Sequence, residues 1–108
     1  MGEPMEFVET SVFTERITRL LSDEAYRDLQ AQLADNPRAG DVIPGAGGLR
    51  KIRWRGAGRG KRGGTRIIYY CWSAQKLYML FAYDKTAQGD LTADQLKTLR
   101  AHVKGGVL

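Results

Sequence analysis

Residues 65–83, TRIIYYCWSAQKLYMLFAY, contain two apolar runs separated by a short polar stretch at 73–75. The first run is rich in β-branched and aromatic residues, which favour a central β-strand. The second run, at 76–83, has the composition of another buried strand. Two such strands joined by a short connection pair in the antiparallel direction. This segment therefore predicts a hairpin at the centre of an antiparallel sheet.

A basic strand pattern precedes the hairpin at residues 49–55. Side chains alternate between the two faces of a strand. One face then carries Leu49, Lys51, Arg53 and Arg55, and the other carries Arg50, Ile52 and Trp54. The glycine-rich segments 36–48 and 56–64 lack this alternation and are expected to be loops. Together with the hairpin, the basic strand predicts a three-stranded meander.

Helical patterns precede and follow the sheet-forming segment in the sequence. After a short strand at 6–10, apolar residues recur at helical intervals behind candidate N-caps at Ser11 and Ser22. Two helices, or one bent helical hairpin, are therefore expected up to Asp35. Residues 92–95, TADQ, fit a capping box that begins a last helix. The expected order is β-α-α-β-β-β-α, an α+β fold in which a short N-terminal strand, two helices and a C-terminal helix accompany an antiparallel β-meander.

Length and composition exclude several classes of protein. The chain has 108 residues, 43% hydrophobic and 27% charged, which suits a single domain over 1–108. No run approaches the roughly 18 apolar residues of a membrane helix, and the first ten residues predict no secretory signal. A lone cysteine, Cys71, excludes internal disulfides, so a cytoplasmic location is expected.

The net charge of +5 is distributed unevenly along the chain. Residues 42–83 contain no Asp or Glu but nine Lys or Arg, most of them within 50–66. A solvated basic face is one interpretation of this density. Because no acids are interspersed, we favour a site for a polyanion.

The sequence context excludes a dinucleotide-binding site and a zinc site. Residues 58–63 match GxGxxG, but they precede a strand rather than the helix that a dinucleotide site requires. The same segment is better interpreted as a flexible cationic arm, in which Arg59, Lys61 and Arg62 follow a phosphate backbone. One histidine, His102, and one cysteine cannot complete a zinc site, so no metal or cofactor is expected.

Four cations are expected to meet on one face of the sheet. Lys51, Arg53 and Arg55 share a strand face, and Arg66 lies on the neighbouring antiparallel strand. Like charges make it easier for Lys51 to release its proton, which makes it a candidate proton acceptor, whereas arginine is unsuited to that role. A phosphate-binding face without chemistry remains the alternative.

Linked motifs resemble a known family. GLRKIRWR at 48–55, GKRGG at 60–64 and TRIIYY at 65–70 resemble the RelE/HigB-type toxins of bacterial toxin–antitoxin pairs, and the HigB branch in particular. The segment NPRAGDVIPG at 36–45 and the DLT-x-x-Q start of the last helix agree with that branch. The expected order of elements is also the order of that family.

The resemblance implies a ribosome-dependent mRNA interferase that works without a metal. In such toxins the 2′-hydroxyl of the mRNA attacks the adjacent phosphate in the ribosomal A site. Lys51 would be the base or an electrostatic stabiliser, and Arg53 and Arg66 would clamp the phosphate. Further contacts with RNA or the ribosome would come from Arg50, Arg55, Arg59, Lys61 and Arg62.

Two departures from the family concern the proton donor. Lys85 stands near the position of a RelE arginine, and the C-terminal catalytic tyrosine of RelE has no counterpart within 86–92. Tyr83 is the nearest substitute, so the general acid is left open. A non-catalytic ParE-like toxin that inhibits gyrase, or a nucleic-acid-binding module, is the alternative function, although Lys51, Arg53 and Arg66 argue against it.

The resemblance also implies partners. A toxin of this kind, itself expected to be monomeric, would be held inactive by a helix-turn-helix antitoxin, and its targets would be the ribosome and mRNA. Acidic, initially disordered segments suit a surface as basic as residues 42–83. The antitoxin could cover that surface or bind elsewhere and block access to the A site by its bulk.

Overall fold

The computed structural model describes residues 4–54 and 64–104, and within them it contains five strands and three helices. In chain order these are β1 (Glu6–Glu9), α1 (Ser11–Leu20), α2 (Asp23–Asp35), β2 (Asp41–Val42), β3 (Leu49–Trp54), β4 (Thr65–Ser73), β5 (Lys76–Asp84) and α3 (Ala93–Lys104). The α+β class and the order of the predicted elements are confirmed. None of the helices in the described segments is long and apolar enough to cross a bilayer.

The five strands form one sheet in the order β1-β5-β4-β3-β2. β3, β4 and β5 form the predicted antiparallel meander. β1 adds to the outer edge of β5 in the parallel direction, so the sheet is mixed rather than purely antiparallel. The ammonium of Lys76 lies 3.8 Å from the Glu6 carboxylate across this pair.

The sequence predicts only a loop over residues 36–48, but this segment includes the two-residue strand β2, which pairs with β3. The Tyr69 hydroxyl fixes residues 37–40, which precede this strand. It accepts a hydrogen bond from the Gly40 N–H at 2.8 Å and donates one to the Pro37 carbonyl at 2.8 Å. A β-carbon at Gly40 would lie 2.9 Å from the Tyr69 ring, so glycine permits this close contact. β2 is thereby fixed against the edge of β3.

The helix termini follow the predicted capping chemistry with one shift. Thr10, rather than Ser11, caps α1, and its hydroxyl accepts from the Phe13 N–H at 3.0 Å. Ser22 caps α2 as predicted, so the N-terminal region forms two separate helices. The capping box of α3 is also confirmed, because Thr92 and Gln95 exchange side-chain to backbone hydrogen bonds at 3.0 Å.

Each face of the sheet is covered by helices. On one face α1 and α2 pack through Phe13, Ile17, Leu29 and Leu33 onto Ile67, Tyr69, Leu77 and Met79. On the other face Leu99 of α3, flanked by Leu96 and Val103, packs with Leu49, Ile68, Leu80 and Tyr83. We call the second face the α3 face. The predicted cations Lys51, Arg53 and Arg66 alternate with the residues of the first core, so they belong to the α3 face.

Candidate active site

Three side chains lie side by side across the α3 face. In the strand register Arg53 is opposite Arg66, and Arg66 is opposite Tyr83. Neighbouring strands are about 4.8 Å apart, so the whole row spans roughly 10 Å of backbone. We call these three residues the Arg53–Arg66–Tyr83 row. Lys51 lies two residues before Arg53 on the same face of β3.

A β-bulge explains why Tyr83 belongs to this row. Tyr69 pairs with Met79 and Ile68 pairs with Phe81, which leaves Leu80 as an extra residue in β5. Beyond the bulge the alternation of β5 is reversed. Phe81 and Tyr83 therefore face α3, although Leu77 and Met79, with the same parity, face α1 and α2. Sequence alternation alone would have assigned Tyr83 to the wrong face.

The row combines a buried and an exposed cation. Arg66 is only 9% exposed, whereas Arg53 is exposed to solvent. Tyr83 is 1% exposed, and burial, followed by the charge of Asp90 and a hydrogen bond to it, raises the pKa of its hydroxyl to about 12, against a smaller opposing effect of Arg66. The Tyr83 hydroxyl is therefore protonated at neutral pH and can donate a proton.

Asp90, which sequence reasoning did not assign, connects Lys51 to the row. One carboxylate oxygen lies 3.4 Å from the Lys51 ammonium and 3.4 Å from the Tyr83 hydroxyl, and it accepts the Leu91 N–H at 2.8 Å. The Leu91 hydrogen bond is the largest cause that holds the pKa of Asp90 below its usual range, and the charge of Lys51 adds to it. The DLT motif contained this residue, but its role depends on a contact with a strand 39 residues away.

The segment that carries Asp90 is tied down by its own polar groups. The Gln88 side chain donates to the Asp90 carbonyl at 2.9 Å and to the Gln95 side chain at 2.8 Å. The Lys85 ammonium donates to the Gly89 carbonyl at 2.7 Å. Lys85, predicted as a catalytic residue, is thus engaged within this turn, and no described contact brings it to the row.

The predicted RNA-binding residues are only partly described. Arg50 lies on the face opposite Lys51, where its guanidinium donates to the carbonyls of Gly40 at 2.7 Å and Arg38 at 3.3 Å. It therefore supports the approach to β2 rather than extending the row. Arg55, Arg59, Lys61 and Arg62 lie outside the described residues.

A further cation reaches the outer edge of β5 from α1. The Arg16 guanidinium lies 4.5 Å from the centre of the Phe81 ring and donates to the Ala82 carbonyl at 3.3 Å. The Phe81 and Tyr83 ring centres are 6.1 Å apart. Arg16 thus adds positive charge beside the row. No sequence signal indicated that Arg16 would reach this position, since α1 packs on the other face of the sheet.

The cysteine and the histidine that were considered for a zinc site have ordinary surroundings. The Cys71 thiol lies 3.4 Å from the Pro37 carbonyl, and burial is the main cause that raises its pKa. The His102 ring contacts the Thr98 carbonyl within α3 at 3.3 Å. Across residues 4–54 and 64–104, no three His, Cys, Asp or Glu side chains are grouped so as to hold a metal ion.

Replacement of Asp90 tests the coupling between the loop and the row. In Asp90→Asn we expect the pKa of Tyr83 to fall, because the burial is retained but the neighbouring negative charge that disfavours phenolate is removed. An NMR titration of ¹³Cζ-labelled tyrosine measures this directly. Asp94→Asn, at an exposed carboxyl in the first turn of α3, is the matched control and should leave the titration unchanged. An identical Tyr83 titration in Asp90→Asn and the native protein would contradict the coupling.

Comparison with known proteins supports the fold. No family model matches the sequence. Among solved structures, the chain is similar to the E. coli toxin RelE, determined in the free state as a mutant with two arginines replaced by alanine. The two share 14% sequence identity at a TM-score of 0.61, over 98% of this chain and 100% of that chain. The chain therefore has a RelE-like fold.

Proposed function

We propose that this protein is the toxin of a toxin–antitoxin pair, of the HigB branch, and that it cleaves mRNA in the ribosomal A site. The observation that carries the proposal is the Arg53–Arg66–Tyr83 row with Lys51 beside it. The row places two guanidinium groups and a protonated hydroxyl on one face of the sheet, where they can supply charge stabilisation and a proton donor for metal-independent cleavage of RNA. The linked sequence motifs and the RelE-like fold support the same function.

The reaction is an internal transfer of the phosphoryl group. The 2′-hydroxyl loses its proton to water at the exposed side of the site as its oxygen bonds to the adjacent phosphorus. The bond to the 5′-oxygen breaks and that oxygen takes up a proton, which leaves a 2′,3′-cyclic phosphate and a 5′-hydroxyl. Negative charge grows on the phosphoryl oxygens in the transition state. Arg53 and Arg66 stabilise that charge, and preorganised donors of this kind contribute about 2.7–4 kcal/mol each.

Lys51 and Tyr83 flank the phosphate site in this proposal. The Lys51 ammonium lies 3.4 Å from the Asp90 carboxylate, and in this proposal it stabilises the attacking side of the reaction electrostatically. Tyr83 retains its proton at neutral pH and donates it to the departing 5′-oxygen. Asp90 positions both side chains through the same carboxylate oxygen.

The exposure of the site supports cleavage that depends on the ribosome. Arg53 is exposed and the side chain of Asp90, beside the row, is 73% exposed, so the site is open to solvent at these two residues, whereas Arg66 and Tyr83 are buried. An open site does not by itself align the RNA strand for in-line attack. We assign that alignment to the ribosome, which holds the mRNA in the A site. The cytoplasmic location and the helix-turn-helix antitoxin belong to the same proposal.

A reaction with purified ribosomes tests the function. Ribosomes programmed with a defined mRNA should yield fragments cut within the A-site codon, with 5′-hydroxyl ends that polynucleotide kinase labels without prior dephosphorylation. The same mRNA without ribosomes is the control and should remain intact. If ribosome-bound mRNA also remains intact while the protein blocks supercoiling by gyrase, the ParE-like alternative replaces this function.

A further inference from the structure

A cleft of about 210 Å³ lies beside Lys51 on the α3 face. Its walls are apolar and come from Ile43 after β2 and from Leu91 and Leu96 around the start of α3. Its rim is polar and carries Asp41, Lys51 and Asp90. The strand register places Asp41 directly opposite Lys51. The cleft therefore adjoins the row on the side of β2, and Lys51 belongs to both.

We propose that this cleft binds the nucleobase of the attacking nucleotide and selects bases that carry an amino group. The inference rests on the proposed function and adds the base that the site prefers. It assigns a specificity role to Asp41, which contacts neither the phosphate nor the reacting oxygens.

Covalent geometry connects the cleft to the reaction. In a ribonucleotide the 2′-oxygen and the base are attached to neighbouring carbon atoms of the ribose. If the 2′-oxygen lies at Lys51 and the phosphate at the two arginines, the base must lie within a few bonds of Lys51. The cleft that Lys51 lines is the recess at this position.

The size and the walls of the cleft suit one ring system. Pockets for drug-sized ligands measure about 300–1,000 Å³, so a cleft of about 210 Å³ holds a base but not a whole nucleotide. Ile43, Leu91 and Leu96 are each only partly buried, and their apolar groups offer contact to the faces of a planar ring. Proteins commonly recognise unstacked RNA bases by packing on the ring and by hydrogen bonds to its edges.

The distribution of charge selects both the orientation and the base. Carboxylates at Asp41 and Asp90 repel a phosphate from the cleft, and the row of arginines attracts it. The side chain of Asp41 offers carboxylate oxygens, which accept hydrogen bonds. It can therefore pair with the amino groups of adenine, cytosine or guanine. Uracil has no amino group, and its one edge donor, N3–H, lies between two carbonyl oxygens that the carboxylate repels.

Nucleotide binding measured by NMR tests the cleft apart from catalysis. The probes are adenosine 3′-monophosphate and uridine 3′-monophosphate, which carry the base and the phosphate of the attacking nucleotide. We expect the native protein to bind the adenosine probe about tenfold more tightly, which lies within the roughly 5–150-fold discrimination of a good base-edge contact. The shifted amide signals should include Val42, Ile43 and Leu91.

Asp41→Ala is the test variant, because Asp41 is exposed at the end of β2 and its loss leaves both cores intact. It should remove the preference and bring the two affinities within twofold. The matched control is Asp28→Ala, an exposed carboxylate on α2 across the sheet, which should keep the tenfold preference. Equal affinities in the native protein, or shifts confined to residues outside the cleft, would overturn the proposal.

The nucleotide-binding experiment and the ribosome assay can fail independently. If the native protein cleaves A-site codons but binds the two nucleotides equally, the base site is wrong and the enzyme function stands. If the tenfold preference depends on Asp41 but no mRNA is cut, the recognition of the base stands and the proposed cleavage fails. Shifts of the cleft amides by an antitoxin peptide, without shifts by either nucleotide, would instead assign the cleft to the antitoxin.

Discussion

Replacement of Arg66 by alanine is expected to reduce the rate of A-site cleavage by about 10²–10³-fold, the loss seen when one preorganised donor to an oxyanion is removed. Arg66 occupies the centre of the row, between Arg53 and Tyr83, and it is only 9% exposed. A cation in so dry a position acts on the phosphate with little screening by water. The measurement is the single-turnover rate on programmed ribosomes, together with growth arrest on expression.

Two further variants make this result interpretable. Arg66→Lys keeps the charge but not the planar fork of donors, so it should recover only part of the rate. Arg27→Ala removes an exposed arginine from α2, on the other face of the sheet, and should cleave at the native rate. Because Arg66 is buried, the thermal unfolding of each variant is measured as well. Cleavage by a folded Arg66→Ala at the native rate would remove this residue from the site.

Much of the frame of the site is predictable because strand periodicity is local. Lys51 and Arg53 alternate with Ile52 in β3, and Arg66 alternates with Ile67 in β4, so their common face follows from the sequence of each strand. The antiparallel meander then follows from the short turn between β4 and β5. Alternation and strand pairing together are therefore enough to place these three cations on one surface.

The proton donor could not be assigned in the same way. The face that Tyr83 occupies depends on the extra residue Leu80, and a bulge arises from pairing with β4 rather than from the composition of β5. Arg16 is equally hidden, because its helix packs on the opposite face while its long side chain passes the edge of β5. Both depend on how distant segments meet.

The strand β2 and the role of Asp90 were also not predicted, because both depend on contacts between distant segments. The strand β2 is too short to show alternation, and its position depends on the Tyr69 hydroxyl, 29 residues from the Gly40 N–H that it binds. Asp90 acts through Lys51, 39 residues earlier in the chain. Contacts of such separation carry no periodic signal in the sequence. The cleft beside Lys51, which both segments line, is therefore invisible to strand and helix periodicity.

Replacement of Tyr83 by phenylalanine is the second variant with a large expected effect. It should lower kcat by about 10²-fold or more, which is the contribution of a positioned general acid. The ring that fills the core is retained, and the hydroxyl that is lost makes a long hydrogen bond of 3.4 Å to Asp90. The fold should therefore remain intact, which circular dichroism and thermal unfolding check.

A change of the leaving group separates the proton donor from a structural role for Tyr83. An mRNA with sulfur in place of the bridging 5′-oxygen departs as a thiolate, which needs no proton. On this substrate Tyr83→Phe should approach the native rate, because the step that the hydroxyl assists no longer limits the reaction. Arg66→Ala should stay slow on both substrates, since the charge on the phosphoryl oxygens develops whichever group departs. If Tyr83→Phe were equally impaired on the oxygen and sulfur substrates, its hydroxyl would act on the phosphate or the fold, and the proton would come from another group.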